Sequence, residues 1–460
     1  MQKLNLVSCT DSYKYSHFLQ YPPGLERIYS YIESRGGQYP STLFFGLQAY
    51  IKEYLLHPVT LADIDRAEGQ VLKHGLPFNR SGWEHIVRAH GGYMPVAIRA
   101  VREGTVVPVQ NVLVTVENTD EQAPWVVGHL ETTLVRAVWY ATTVATRSKY
   151  IKDVIEHALA ETSDAVAPEE KLLWSLHDFG MRGTSSRESA GIAGAAHLVN
   201  FLGTDNTDAF DWAEEYYGES MPGFSIPASE HSVATMYGRD NEIAYFRHMI
   251  RQFGKPGAIF ANVADSYDIY RVCKEILPQI RQELIDSGAT MVVRPDSGEP
   301  VEVVLRVLEL LAVGFGCTVN SKGFRVLRNV RVIQGDGISE STVRNILRAM
   351  RDSGFAADNI AFGCGGYLLQ ALNRDTQKFA MKASAAKISG VWRDIVKDPV
   401  TDHGKRSKPG RVSLYTDAGG RFYTAVDGKG LEHMELVFEN GVLVREQSFA
   451  DIRKLAAKAL

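Results

Sequence analysis

From about residue 172 onward one pattern of apolar and polar positions recurs along the chain. A short apolar run ends in a polar or glycine-rich loop, and a helical period follows most of these loops. The run 172–176 ends at His177, Asp178, Phe179 and Gly180, before a small-residue helix predicted over 186–200. The stretch 223–227 leads to Ser229, Glu230, His231 and Ser232. Run 258–264 leads to Asp265, run 290–293 to Arg294-Pro295-Asp296, run 330–333 to Gly335-Asp336-Gly337, and run 360–362 to Gly363-Cys364-Gly365-Gly366. Between them Val301, Val304, Leu305, Leu308 and Leu311 share one helical face, as do Val343, Ile346, Leu347 and Met350.

Strand, loop and helix recurring every 25–40 residues is the pattern of parallel βα units. Loops near 180, 205, 231, 265, 295, 336 and 364 leave room for close to eight units. The expectation is an α/β fold: an irregular (βα) barrel over 146–375, with an open doubly wound sheet as its competitor. The flanks differ. Residues 1–145 and 376–460 carry strand-like runs (28–32, 112–116, 411–415, 436–438, 442–445) and a terminal helix over 449–460. They are expected to form a second, discontinuous α+β domain from the N- and C-terminal segments.

Composition narrows the class. The chain has 460 residues, is 45% hydrophobic and carries a formal net charge of −4, which gives no basic footprint for nucleic acid. Its four cysteines are scattered without a CxxC pair, so neither a disulfide framework nor a zinc site is expected, and a reducing, cytoplasmic compartment fits. No apolar run is long enough for a membrane span, and the N-terminus lacks a signal-peptide core.

Reactive groups of a βα barrel sit on the loops after the strands. One polar residue there is commonly only a helix cap, but seven such loops in order outnumber what capping explains. The late glycine pairs at Gly335-Asp336-Gly337 and Gly365-Gly366 occupy the usual phosphate position, where glycine lets backbone N–H groups approach an anion. Arg294 suits phosphate oxygens, and Asp296 suits sugar hydroxyls or a metal-bound water. His231, with Glu230 adjacent and Asp265 heading the next unit, reads as a nucleophile or base whose tautomer a carboxylate fixes. Phe179 and Tyr13 are candidates to stack on a flat ligand. The basic segment 397–411 supplies cations, or is merely a solvated loop. Walker and dinucleotide-binding glycine motifs are missing.

These residues resemble the nicotinamide phosphoribosyltransferases. The shared segments are Thr-Asp-Ser-Tyr-Lys (10–14), Tyr-Pro-Pro (21–23), Phe-Gly-Leu-Gln (45–48) and His-Asp-Phe-Gly-Met-Arg-Gly (177–183). They continue with His-Leu-Val-Asn-Phe (197–201), Glu-His-Ser (230–232), Asp-Ser-Tyr-Asp-Ile-Tyr (265–270), Arg-Pro-Asp-Ser-Gly (294–298), Val-Ile-Gln-Gly-Asp-Gly (332–337) and Lys-Arg-Ser-Lys (405–408). The resemblance runs through nearly the whole chain in order.

It implies transfer of phosphoribosyl from 5-phosphoribosyl 1-pyrophosphate to nicotinamide, with Mg2+ and with ATP as co-substrate. His231 would be the phosphorylated residue, with Glu230, Asp265 and Asp296 in the catalytic set. Phe179 and Tyr13, the latter from a second subunit of a homodimer, would sandwich the pyridine. Arg182, Ser225, Arg294, Gly335, Asp336, Gly365 and Gly366 would bind substrate. Arg374, Lys382, Lys397 and Lys405 match basic phosphate positions, some of them across the dimer. Mg2+ would be held mainly by pyrophosphate, with Asp265 nearby and no direct protein ligand.

Asp205 matches the position that favours amide over acid; nicotinate transfer is the rival activity, and a non-catalytic metabolite-binding protein the rival class. Two departures stand out. The glycine loop reads Gly-Cys-Gly-Gly-Tyr, where Tyr367 is expected to narrow the pocket or shift the helix start, and the segment between Glu33 and Phe44 is shorter than in animal members.

Overall fold

The computed structural model describes residues 5–164, 168–401 and 406–458. It divides into two compact units, one of residues 147–213 and 220–371, the other of residues up to 146, 214–219 and 372 onward.

At the centre of the first-named unit is a parallel sheet of β1 (Leu176–Asp178), β2 (Gly203–Thr204), β3 (Ile259–Val263), β4 (Thr290–Arg294), β5 (Val330–Gln334) and β6 (Ile360–Cys364). Their spatial order is β2-β1-β6-β5-β4-β3, an α/β fold built on a parallel half-barrel. Both free edges are bonded to one irregular segment, 224–229. Thr204 N donates to Phe224 O at 3.0 Å, and Ala261 N donates to Pro227 O at 2.8 Å. Pro227 has no N–H to give a ladder, which keeps this segment from being a strand. The expectation of close to eight units is therefore corrected: six short strands and one bridging segment fill the seven positions. The run 172–176 is corrected as well. Its first residue closes a short helix, Pro168–Leu172, and the strand begins only at Leu176.

Ala261, Val292 and Ile333 form a small buried cluster against which Phe179, Ile226 and Ala361 pack. They alternate with Met291 and Val293, themselves buried on the opposite side of the pleat. Outer helices follow the strands. In α1 (Arg187–Leu198) the hydroxyl of Ser186 caps the first turn, accepting from Ser189 N at 3.1 Å. In α2 (Pro300–Phe315) proline occupies the first turn, where its missing N–H costs nothing. Its buried face is Val303, Val304, Val307, Leu308, Leu311 and Phe315, so Val301 and Leu305 sit at the margin of that face instead of within it. In α3 (Glu340–Asp352) Val343, Ile346, Leu347 and Met350 are all buried, as the period predicts.

In the other unit a seven-stranded antiparallel sheet runs, in spatial order, Val391–Asp394, Phe379–Ile388, Leu25–Ser34, Val112–Asn118, Val96–Ala100, Glu435–Glu439 and Val442–Leu443. Strand Leu25–Ser34 pairs with Phe379–Ile388 on one side and Val112–Asn118 on the other, so both ends of the chain share one sheet. No helix among the described residues is long and apolar enough to cross a membrane.

Candidate active site

The loops after the half-barrel strands surround a cavity of about 890 Å3. Phe179, Arg182, Asp205, Glu230, His231, Arg294, Asp296, Gly335 and Gly365 line it, all of them singled out from sequence.

Phe179 follows β1, and its N–H donates to Cys364 O at 3.0 Å. Its ring lies on the backbone of Gly363, where a Cβ would fall 2.0 Å from Phe179 Cε2. Glycine there is a steric requirement. The preceding residue, Asp178, is fully buried; it accepts from Gly180 N at 2.7 Å and from Asn206 Nδ2 at 3.0 Å. Burial pushes its carboxyl up to about 6, against the opposing pull of those two hydrogen bonds. Asp178 thus ties the Phe179 turn to the loop after β2. In that loop Asp205 N donates to Asp178 O at 3.0 Å, and the Asp205 carboxylate accepts from Ser225 Oγ at 2.5 Å.

His231 opens a short helix on the far side of segment 224–229. Its Nε2 is 2.8 Å from Oδ1 of Asp265, and its Nδ1 is 3.8 Å from Oδ2 of Asp296. The imidazole is 44% exposed, while Asp265 is 5% exposed, so the carboxylate is the fixed partner and the ring the accessible one. The second oxygen of Asp265 accepts from Asp296 N at 3.0 Å and from Ser297 Oγ at 2.6 Å. Burial raises the Asp265 pKa, but the bonds from Ser297, His231 and Asp296 N outweigh it and hold the carboxyl below its ordinary value. A carboxylate only accepts, so Nε2 of His231 carries the proton and Nδ1 presents the lone pair.

Arg294 ends β4 with one guanidinium nitrogen 3.9 Å from Asp296 Oδ2 and with Nε buried and without a hydrogen-bond partner. An unspent charged donor beside a cavity suits an anion.

Several expected residues do not line this cavity. Asp265 stands behind His231, Ser225 spends its hydroxyl proton on Asp205, and Asp336 and Gly366 lie beside Gly335 and Gly365 without facing in. Tyr367 is also absent from the wall. Its ring stacks on the buried Arg147, 4.3 Å from guanidinium carbon to ring centroid, so it does not narrow the pocket. Cys364 is buried and donates to Ile338 O, its thiol pushed up to about 12 by burial.

Tyr13, Arg374, Lys382 and Lys397 belong to the other unit, and Lys405 lies outside the described residues. Tyr13 is exposed. Burial lowers the Lys382 pKa, and the neighbouring charges of Arg35, Lys397 and Arg374 lower it further, against Glu131. The structure therefore brings three of the predicted cations together in one place. It also adds Arg35, whose Nε and Nη2 are buried without hydrogen-bond partners. Nothing local marked Arg35 in the sequence; only the pairing of strand Leu25–Ser34 with Phe379–Ile388 places it near Lys382. Sequence reading also passed over Arg187 in the cavity wall, held by Asp208 at 2.9 Å and by Asp211. The three-residue spacing of Asp208 and Asp211 on one helix face was its available signal.

A family model described as the nicotinate phosphoribosyltransferase (NAPRTase) family matches residues 174–442. A second, the N-terminal domain of nicotinamide phosphoribosyltransferase, matches residues 5–98. A nicotinamide phosphoribosyltransferase of Xanthomonas campestris is 51% identical over 99% of this chain and 98% of its own length. One from Acinetobacter baylyi is 32% identical over 100% and 98%. Two solved structures share the fold: a Pyrococcus furiosus nicotinate-nucleotide pyrophosphorylase (TM-score 0.63, 15% identity, 99% of this chain and 95% of that one) and human nicotinic acid phosphoribosyltransferase (TM-score 0.60, 18% identity, 98% and 93%).

Proposed function

The chain belongs to the nicotinate phosphoribosyltransferase (NAPRTase) family, and from that premise we propose that it transfers phosphoribosyl from 5-phosphoribosyl 1-pyrophosphate to nicotinamide. The products are nicotinamide mononucleotide and pyrophosphate, a step of NAD salvage. One observation carries the choice of base: the Asp205 carboxylate, oriented by Ser225, lines the same cavity as the Phe179 ring. A pyridine carboxamide seated on Phe179 donates its N–H to Asp205, whereas nicotinate presents like charge to it.

In this reading Arg182, Arg294, Gly335, Asp336, Gly365 and Gly366 hold the 5′-phosphate and ribose side, and Asp296 accepts ribose hydroxyls. The pyridine nitrogen forms its bond to C1 as the C1–O bond to pyrophosphate breaks, and the cationic groups stabilise the leaving charge. Mg2+ suits the oxygen donors present, since it takes one or two carboxylates together with substrate phosphates. Asp265 already accepts three hydrogen bonds, so Mg2+ would be held mainly by pyrophosphate, with Asp265 nearby, and would neutralise its charge.

His231 is the residue phosphorylated by ATP. Its Nδ1 lone pair attacks the γ-phosphorus, the bond to the ADP oxygen breaks, and Asp265 steadies the imidazolium character that develops at Nε2. Hydrolysis of the phosphohistidine then drives synthesis. The Arg35, Arg374, Lys382 and Lys397 cluster, together with Tyr13 and Lys405, serves an active site shared across a homodimer; the buried Arg35 Nη2, which has no hydrogen-bond partner, supports an anion-binding role. The unit made from both chain ends is an α+β domain of its own, and the irregular half-barrel acts as a (βα) barrel. The free state of all four cysteines supports a cytoplasmic location.

The test is a comparison of nicotinamide with nicotinate at equal concentration. Preference for nicotinamide is expected, and equal or better use of nicotinate overturns the reading.

A further inference from the structure

The unit that carries the antiparallel sheet holds a constellation the transfer reaction does not use. His85 and His90 lie five residues apart on helix Arg80–His90, which Gly91 ends in a left-handed conformation at φ 61°. Both imidazoles meet one carboxylate in the loop after strand Val112–Asn118. His85 Nε2 is 2.6 Å and His90 Nε2 2.7 Å from the same atom, Oδ2 of Asp120. One ligand atom from each residue lies within 4.8 Å of the others. The side chains are 22%, 22% and 16% exposed, so they are sheltered but reachable.

The carboxylate is held in place from behind. Asp120 Oδ1 accepts from Gln122 N at 2.8 Å, and its backbone O accepts from Asn118 Nδ2 at 2.7 Å. Asn118 is itself fully buried, and its Oδ1 accepts from Ile28 N at 2.8 Å. His85 also lines an open cavity of about 600 Å3, which gives an ion and its water a route in.

We propose that His85, His90 and Asp120 bind a divalent transition-metal ion of the zinc class. Two neutral imidazole nitrogens and one carboxylate oxygen are a donor set for Zn2+, Co2+ or Ni2+, while Mg2+ takes oxygens. Ligand atoms around a tetrahedral ion with bonds of about 2.0–2.2 Å stand roughly 3.3 Å apart. The present contacts therefore open by only about 0.6 Å to admit one, a side-chain adjustment. Each imidazole moves its proton from Nε2 to Nδ1, so the two N–H···O bonds are exchanged for two nitrogen–metal bonds with no change in the imidazoles' charge. The remaining coordination position falls to water. The ion would clip the C-terminal end of helix Arg80–His90 to the loop at Asp120, and none of the three residues lines the active-site cavity.

The experiment titrates chelator-treated, tag-free full-length protein with Zn2+ by calorimetry and with Co2+ by visible absorption. One equivalent per chain is expected. H85Q, H90Q and D120N should each weaken binding at least about tenfold, while H57Q, an exposed histidine of the same unit, should leave it unchanged. Failure to reach half an equivalent at about 100 µM Zn2+ overturns the site. So does a titration indifferent to H85Q and H90Q; the trio is then a metal-free His–Asp–His clamp. X-ray absorption of the Zn2+-loaded wild type does not depend on the variants folding: two imidazole ligands are expected, and none overturns the proposal.

Discussion

His231 Nε2 lies 2.8 Å from Asp265 Oδ1, and the second oxygen of the same carboxylate gathers the backbone of Asp296 and the hydroxyl of Ser297. One buried group thus fixes the tautomer of the histidine and the position of the loop that follows β4. His231→Ala is expected to abolish ATP hydrolysis and its stimulation while slower basal transfer continues; measurable ATP hydrolysis in that variant removes the phosphohistidine role. Asp265→Asn should slow phosphorylation by about 10²–10³ while leaving nicotinamide KM within a few-fold, as a stopped-assay measurement of phosphoenzyme would show.

In the proposed function, selectivity rests on the single carboxylate of Asp205. Asp205→Ser should raise the kcat/KM ratio of nicotinate to nicotinamide by about tenfold or more, equivalent to roughly 1.4 kcal/mol. An unchanged ratio would place discrimination elsewhere in the cavity.

The two glycines beside Phe179 separate packing from phosphate approach. A Cβ at position 363 falls 2.0 Å from the ring, but one at position 335 stands 3.5 Å away, an ordinary contact. Gly363→Ala should displace the ring, raise nicotinamide KM at least about tenfold and cost about 1–3 kcal/mol of stability. Gly335→Ala should leave the ring and stability nearly unchanged and act on the KM of phosphoribosyl pyrophosphate. Identical profiles for the two variants would contradict this division.

Asp178 gives a pH signature. Its folded-state pKa is raised to about 6, above the unfolded carboxyl near 3.9. The folded state therefore binds the proton more tightly. The associated stability is full below about pH 4 and is lost as pH rises through about 6, amounting to roughly 3 kcal/mol. Denaturant unfolding at pH 4.5 and 6.5 should show this slope in the wild type and a flatter dependence in Asp178→Asn; equal slopes would contradict it.

Much of this was legible in the sequence because the information is local. Loops at strand ends advertise themselves through glycine, proline and charge, so His231, Arg294 and Asp296 stood out once the successive loops were taken together. The count of barrel positions was harder. Strands of two to five residues, such as Gly203–Thr204, carry too few positions for an alternation to register, and the run 223–227, read with the other strand-like runs, is an irregular segment that bonds two edges. Tyr367 misled for a different reason. Its partner, Arg147, is 220 positions away in the chain, and no periodicity reports a cation waiting under a ring. A still longer separation in sequence hid Arg35 from Lys382.

The segment 224–229 has a consequence for how variants of this protein will sort. It carries Ser225, which orients the Asp205 carboxylate, and it delivers His231 two residues beyond its end. In the proposed function, amide preference and ATP coupling both hang on one short strap bonded to two sheet edges. A mutational library across that strap should yield the two traits as a linked pair, rising and falling together, and not as independent knobs.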